Sequence, residues 1–159
     1  MRKDTLRLGV VGLGTVGTGT VKIVQNHAAM LSARTGTSIE ITAVSARSRS
    51  KDRGIDISAY AWEDDPVALA KRDDVDVLVE LMGGTDGPAK AATEAALSLG
   101  KSVVTANKAL LAVHGQALAE LAEANGAQIR FEAAVAGGIP VVKALTEGLA
   151  ANAMTRVLG

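Results

Sequence analysis

Five short apolar runs, separated by segments with helical spacing, constrain the fold of this chain more than any other feature of its sequence. The predicted strands are residues 6–11, 39–44, 75–81, 102–105 and 127–132. The predicted helices are residues 15–31, 64–72, 88–99, 109–125 and about 139–150. Strands that alternate with helices of these lengths are typical of βαβ units on a parallel sheet.

This order of elements predicts the fold class. Right-handed crossovers between parallel strands favour an α/β fold, a Rossmann-like doubly wound sheet with helices on both faces. Ligands of such sheets bind beyond the carboxyl ends of the strands. Each predicted strand runs into glycine, basic or other polar residues at that end. We therefore expect these residues to gather along one edge of the sheet.

Composition narrows the function classes. Of the 159 residues 48% are apolar, and 17 Lys and Arg residues balance 17 Asp and Glu residues. Zero net charge argues against nucleic-acid and membrane-surface partners, which rely on concentrated positive charge. No apolar run approaches a membrane span, and the lack of cysteine excludes disulfides, Cys–zinc sites and thiol nucleophiles. The composition predicts a soluble, cytoplasmic globular domain.

A glycine motif lies between the first predicted strand and the first predicted helix. Gly12 would allow a tight turn, Gly14 the close approach of a pyrophosphate, and Gly17 the packing of the helix on the strand. The helix N-terminus would offer N–H groups and positive dipole to the phosphates. The motif predicts dinucleotide binding, although a ligand-free turn has the same pattern. The predicted contacts are Gly12, Leu13, Gly14, Thr15, Val16 and Gly17.

The loop after the second predicted strand indicates which dinucleotide is bound. An NAD site usually has Asp or Glu there for the ribose 2′-OH. This chain has Arg47, Arg49 and Lys51 instead. Because Arg can clamp a 2′-phosphate, the loop predicts a preference for NADP(H), with NAD(H) as the alternative cofactor. The competing interpretation is a solvated basic loop.

Residues after the third and fourth predicted strands are candidates for the reacting end of the cofactor. Gly83 and Gly84 would let the backbone approach a planar nicotinamide ring, although a plain loop has the same composition. Glu80 is either a buried, hydrogen-bonded acid or a strand-edge residue facing water. Lys108 could pass a proton to or from a substrate oxygen during hydride transfer. The alternative for Lys108 is a surface lysine at a helix N-terminus.

Residues 131–140 combine one carboxylate with a flexible backbone. Carbonyl oxygens could wrap around a cation there, with Glu132 as the charged ligand. A structural turn that leads into a helix is the simpler interpretation.

Four motifs together resemble homoserine dehydrogenase. They are residues 12–17 (GLGTVG), 79–84 (VELMGG), 105–108 (TANK) and 131–140 (FEAAVAGGIP). The resemblance covers nearly the whole chain, and the last two motifs are the most specific. It implies NAD(P)-dependent interconversion of L-homoserine and L-aspartate 4-semialdehyde, in the pathway to threonine, methionine and isoleucine.

The resemblance also implies roles for individual residues. Lys108 matches a lysine near substrate and nicotinamide that is implicated in proton transfer, and Arg47 and Lys51 match positions that some members of the family use for the 2′-phosphate. Thr85, Thr105 and Asn107 fall, with Gly83 and Gly84, on the nicotinamide side. The implied ligands of a monovalent cation, Na⁺, are Glu132, Val135, Gly137 and Ile139.

The domain organisation is predicted in two parts. Residues 1–150 form the NAD(P)-binding domain, and residues 151–159 begin a second domain on a fresh apolar stretch. By resemblance, that second domain carries most substrate contacts and the dimer interface, so we expect a homodimer or homotetramer of the full-length protein and little catalysis by this chain alone. The alternatives are another two-domain NAD(P) oxidoreductase and a non-catalytic dinucleotide-binding module.

Overall fold

A computed structural model describes residues 4–157. The strands are β1 Thr5–Val11, β2 Ser38–Ser45, β3 Ala61–Trp62, β4 Val77–Glu80, β5 Ser102–Thr105 and β6 Ile129–Arg130. The helices are α1 Thr15–Thr35, α2 Pro66–Lys71, α3 Pro88–Ser98, α4 Lys108–Ala124 and the single turn α5 Val141–Lys143. A 3₁₀ turn, Glu132–Ala134, follows β6, and a π-helical turn, Ala144–Gly148, follows α5.

All the strand pairs are parallel, and the sheet order is β3-β2-β1-β4-β5-β6. The chain moves outward from β1 to β3 and then returns to place β4 on the other side of β1. This reversal makes the carboxyl ends of β1 and β4 the switch point at which such sheets bind ligands. The predicted Rossmann-like fold is confirmed.

Apolar side chains of the sheet divide between two buried clusters. Neighbouring residues Val10 and Val11 belong to different clusters because successive strand side chains point to opposite faces. Val21 of α1 packs with the Val10 cluster. Leu69 of α2 and Leu97 of α3 pack with the Val11 cluster, as does Leu118 of α4. Helices therefore cover both faces, and the ends of the strands remain free to form a site.

The signals that begin α2 operate as the sequence indicates. Asp65 Oδ1 accepts a hydrogen bond from the Val67 N–H at 2.9 Å, and Pro66 occupies the first position, where no N–H is needed.

Among the described residues, no helix has both the length and the apolar character that crossing a bilayer requires.

The structure adds one strand that is not predicted, and two predicted elements are shorter than expected. The sheet has a sixth strand, β3, which the prediction omits because two residues show no periodicity. β6 pairs only at Ile129–Arg130, so Glu132 lies in the following 3₁₀ turn and not at a strand end. The helix predicted for 139–150 is reduced to α5 and the π-helical turn.

The apolar stretch that is expected to begin a second domain forms no helix or strand in the described part of the chain. Residues 153–157 have no regular structure, and residues 158 and 159 lie outside the described residues, as do residues 1–3 of the predicted first domain. The boundary between 1–150 and 151–159 stays a prediction.

Candidate functional site

The glycine loop after β1 is wedged between the ends of two neighbouring strands. The Gly12 N–H donates to the Ser45 carbonyl at the end of β2, at 2.8 Å. On the other side, a Cβ on Gly12 would lie 2.6 Å from the carbonyl carbon and oxygen of Leu81, just after β4. Gly12 also has a φ of +94°, which L side chains rarely adopt. Only glycine fits this turn, as the motif predicts.

Gly17 and Gly14 have opposite surroundings. A Cβ on Gly17 would lie 1.9 Å from the Gly12 carbonyl oxygen, so the first turn of α1 packs directly on the loop. A Cβ on Gly14 would have nothing within 4 Å. We call residues 12–17, the glycine loop with the first turn of α1, the cradle. The cradle is closely packed on its protein side and open on its solvent side, where Gly14, Thr15 and Val16 are exposed.

The N-terminus of α1 faces this open side. Gly14, its N-cap, provides no side-chain hydrogen bond, and the first turn contains no acidic residue. The first N–H groups of a helix have no intrahelical partner, and they carry the positive end of the dipole. Together with the space above Gly14, this arrangement fits a diphosphate.

The basic loop after β2 lies beside the glycine loop. Arg47, Arg49 and Lys51 are exposed. Arg53, which sequence reasoning did not single out, is half-buried and donates from Nε to the Leu13 carbonyl at 3.2 Å. The structure therefore brings the predicted 2′-phosphate residues to the same edge as the predicted pyrophosphate cradle.

Glu80, at the end of β4, is a buried carboxylate that organises the neighbouring loops. Its side chain is fully buried. Oε1 accepts from the N–H groups of Met82 and Gly83 at 2.8 and 3.3 Å, and Oε2 accepts from the Thr105 hydroxyl at 2.6 Å. Of the two interpretations that the sequence allows, the structure selects the buried acid near the cleft.

Asn107 continues this network to the start of α4. Its N–H donates to Thr105 Oγ1 at 2.9 Å, and Nδ2 donates to the Gly84 carbonyl at 2.8 Å. Oδ1 accepts from the Leu110 N–H at 3.1 Å and so caps the helix. Because Asn107 is 4% exposed, these contacts hold the β4 loop, β5 and α4 in one arrangement.

Lys108 is the first residue of α4, directly after this network. Its side chain is exposed, and it lines a cavity of about 750 Å³ between α4 and the β6 region, with Leu111, Ile129, Phe131 and Val135. Its backbone is fixed while its amine remains accessible. This combination suits a group that meets a substrate.

The loop after β4 is also tied to α4 by a contact between a carboxylate and a histidine ring. Asp86 Oδ1 lies 3.0 Å from His114 Nε2. Hydrogen bonding from the Thr85 side chain, and then from His114, holds the pKa of Asp86 below its usual value. Thr85 is half-buried, and Gly83 and Gly84 are exposed. Three of the predicted nicotinamide-side residues, Gly83, Gly84 and Thr85, thus share one loop, and this loop contacts Asn107 and His114 of the α4 region.

The segment after β6 offers oxygen donors in a sharply turned backbone. Ala136, Gly137 and Gly138 all have positive φ, of 55°, 41° and 96°. Both Glu132 oxygens are engaged: Oε1 accepts from the Val142 N–H at 3.0 Å and Oε2 from the Lys143 N–H at 2.9 Å. A carboxylate can accept further contacts, and carboxylate with carbonyl oxygens suits a hard cation. Among the described residues, no group of three or more His, Cys, Asp or Glu side chains is placed to hold a metal.

Comparison with known families and proteins gives one consistent result. A family model described as homoserine dehydrogenase, NAD binding domain, matches residues 12–132. Homoserine dehydrogenase of Neisseria gonorrhoeae is 49% identical over 154 residues, which cover 97% of this chain and 35% of the relative. That of Mycobacterium tuberculosis is 45% identical over 152 residues, which cover 96% of this chain and 34% of the relative.

Solved structures agree. A homoserine dehydrogenase from Thiobacillus denitrificans has a TM-score of 0.85 and 38% identity, with 94% of this chain and 34% of that chain covered. One from S. aureus has a TM-score of 0.78 and 40% identity, with 86% and 34% covered. The chain therefore spans about a third of the length of the relatives that it matches.

Proposed function

The chain belongs to the family of homoserine dehydrogenase NAD-binding domains, and we propose from this premise that it is the cofactor-binding part of an NADP(H)-preferring homoserine dehydrogenase. The reaction would interconvert L-homoserine and L-aspartate 4-semialdehyde, on the route to threonine, methionine and isoleucine. One observation carries the cofactor proposal. The open glycine cradle adjoins a basic loop that has no carboxylate from Arg47 to Lys51.

Binding of the cofactor divides among three groups of residues. The α1 N-terminus and the glycine loop would hold the pyrophosphate through N–H groups. Arg47 and Lys51 would hold the 2′-phosphate through charge-assisted hydrogen bonds. Gly83, Gly84, Thr85, Thr105 and Asn107 would form the nicotinamide side, where Glu80 fixes the backbone. A bound dinucleotide would supply the hydride when reduced and would accept it, in the oxidised form, in the reverse direction.

Lys108 would handle the proton. Its position at the start of α4 would let the amine reach a substrate that lies next to the nicotinamide ring. In the reductive direction the amine would donate a proton to the aldehyde oxygen. In this chain Lys108 is exposed to water. Efficient hydride transfer needs water excluded and the aldehyde oriented. We therefore expect this chain by itself to bind cofactor and to catalyse poorly. The assembly of the whole protein as a homodimer or homotetramer and its cytoplasmic location stay predictions.

The cofactor preference is tested by calorimetric titration with NADPH and with NADH. For the unchanged chain we expect the tighter binding with NADPH. Arg47→Ala should weaken NADPH binding by roughly tenfold to a hundredfold, because a hydrogen bond to a charged group contributes about 1.5–3 kcal/mol. NADH binding should change little, because NADH has no 2′-phosphate.

A matched control for this titration is Arg34→Ala. Arg34 is an exposed arginine in the last turn of α1, at the opposite end of the helix from the cradle. It should leave both affinities unchanged. Equal affinities of the unchanged chain for the two dinucleotides would reject the NADP(H) preference, and binding of neither would reject the cofactor site.

The second part of the proposal is a monovalent-cation site at Glu132, Val135, Gly137 and Ile139, with Na⁺ as the ion. Glu132 would supply the charge and the other three residues carbonyl oxygens. The proposal rests on the turned backbone and on the spare lone pairs of the Glu132 carboxylate.

Replacing sodium chloride by choline chloride at constant ionic strength tests the cation site. The melting temperature should be higher in sodium, because an ion that binds only the folded state stabilises it. In Glu132→Gln this sodium-specific difference should disappear, whatever the variant's own stability. Glu147→Gln, at an exposed carboxylate near α5, should retain it. A sodium effect of equal size in wild type and Glu132→Gln would refute the assignment of Glu132.

A further inference from the structure

Arg53 connects the two loops that are proposed to bind different phosphates of one dinucleotide. Its Nε donates to the Leu13 carbonyl, in the glycine loop, at 3.2 Å. Its Nη1 donates to the Lys51 carbonyl at 2.8 Å and its Nη2 to the Ser48 carbonyl at 2.6 Å, both in the basic loop. One guanidinium therefore holds three backbone carbonyls that lie up to 38 residues apart in sequence, from Leu13 to Lys51.

The aromatic ring of Trp62 fixes this guanidinium from another direction. Arg53 Cζ lies 6.0 Å from the centre of the Trp62 ring, within the range of a cation–π contact. Trp62 belongs to β3, and its Nε1 donates to Asp64 Oδ1 at 2.7 Å. The ring is thus anchored at the sheet edge, and the position of Arg53 is determined by the sheet as well as by the loops.

The side chains on either side of these contacts are the ones assigned to the 2′-phosphate. Arg47 precedes Ser48, and Lys51 is itself held through its carbonyl. Both side chains are exposed, whereas Arg53 is half-buried with its guanidinium directed at carbonyls. Arg53 is therefore suited to place the loop, and Arg47 and Lys51 are suited to contact a ligand.

We propose that Arg53 is the positioning residue for 2′-phosphate selectivity. It holds the basic loop at a set distance from the glycine loop, so that a dinucleotide meets both phosphate sites in one arrangement. Such preorganisation strengthens binding because the loop is already ordered. None of the free energy gained from contacts with the ligand is then used to order it. This inference rests on the proposed binding of NADP(H).

Arg53→Lys separates positioning from charge. The ammonium keeps the positive charge of the site but is a point donor on a flexible stem, so it cannot hold three carbonyls in the fork geometry of a guanidinium. We expect NADPH to bind about tenfold more weakly, which equals about 1.4 kcal/mol. The affinity for NADH should fall by less than about threefold. Of the three carbonyls that Arg53 holds, only that of Leu13 lies in the glycine loop, which NADH would also use.

The experiment measures both affinities by calorimetry for wild type, Arg53→Lys, Arg47→Ala and the double variant. If Arg53 acts through Arg47, the double variant should bind NADPH as tightly as the single variant that has the lower affinity. The reason is that the effects of substitutions within one network do not add. Arg34→Lys is the matched control and should behave as wild type. A cooperative unfolding transition, followed by far-UV circular dichroism, confirms that each variant is folded. Arg53→Gln serves as the second variant if Arg53→Lys does not fold.

Three results would overturn the inference, and they differ in what else they reject. Equal weakening of NADPH and NADH by Arg53→Lys would make Arg53 a structural residue only. Additive losses in the double variant would show that it does not act through Arg47. Both results leave the proposed function intact. Failure of the wild-type chain to prefer NADPH would reject the proposed cofactor preference together with the inference.

Discussion

Gly17→Ala should destabilise the chain by more than about 3 kcal/mol, or prevent its folding, although it adds one methyl group. Overpacking usually costs about 1–3 kcal/mol when neighbouring side chains can move. At Gly17 the obstacle is the backbone: the new Cβ would lie 1.9 Å from the Gly12 carbonyl oxygen. Relief would require α1 to move away from the loop that the ends of β2 and β4 hold in place.

The measurement is urea unfolding, with Gly19→Ala as the control. Gly19 lies in the same helix, and a Cβ there has nothing within 4 Å. Alanine is the better helix former by about 0.8–1.0 kcal/mol, so Gly19→Ala should be neutral or stabilising. Equal stabilities of the Gly17 and Gly19 variants would show that the first turn of α1 is not packed on Gly12.

Gly14→Ala completes this comparison. Apart from its chain neighbours, no atom of the described residues lies within 4 Å of the added methyl group, and Gly14 has φ −78°, which alanine adopts readily. The variant should therefore fold like wild type. If the pyrophosphate approaches Gly14, NADPH binding in the same calorimetric assay should be weakened by at least about tenfold, or roughly 1.4 kcal/mol. Unchanged binding would place the pyrophosphate elsewhere.

Glu80→Ala should be the most damaging loss of a polar side chain, at about 3 kcal/mol or more. The substitution removes the acceptor of three donors, the N–H groups of Met82 and Gly83 and the Thr105 hydroxyl. Each buried group left without a partner costs about 1–3 kcal/mol. Amide hydrogen exchange at Met82 and Gly83 should also become faster, because the loop loses its anchor.

Urea unfolding measures this loss, and two further variants make it specific. Glu80→Gln preserves size and one oxygen acceptor, so it should recover part of the stability. Glu94→Ala removes an exposed i,i+4 partner of Lys90 on α3 and should cost under about 0.5 kcal/mol. A Glu80→Ala loss as small as that of Glu94→Ala would show that Glu80 does not organise the loops.

Local signals in the sequence predicted the fold well. Asp65 and Pro66 begin α2, and apolar runs of four to seven residues became strands β1, β2, β4 and β5. The elements that the sequence does not predict correctly are short, or depend on residues that are far away in sequence. β3 has two residues and exists because Ala43 and Val44 provide an edge for Ala61 and Trp62. The helix expected for 139–150 was shortened, and Glu132, 10 residues from Val142 in sequence, caps its start.

The candidate site followed the same division. Gly12 and Gly17 are predictable because glycine at these positions reflects backbone crowding, whereas Gly14 is open and its contact with a pyrophosphate stays a prediction. The role of Glu80 stayed open, because an acid in an apolar run is consistent with either burial or exposure. The sequence does not indicate Arg53, because its partners are backbone carbonyls and every residue has one. Its one signal was the nearby Trp62, an aromatic ring in an otherwise aromatic-poor chain.

The α/β class, the glycine turn and the basic character of the loop after β2 follow from the order of the residues alone, because propensity, steric crowding and charge are local properties. That Glu80 is a buried acceptor, that Asn107 joins the Gly84 loop to α4, and that Arg53 spans two loops becomes evident only in the folded chain. The physical reason is the same in each case. A hydrogen bond between residues far apart in sequence depends on which strands become neighbours, and that depends on the packing of the whole sheet.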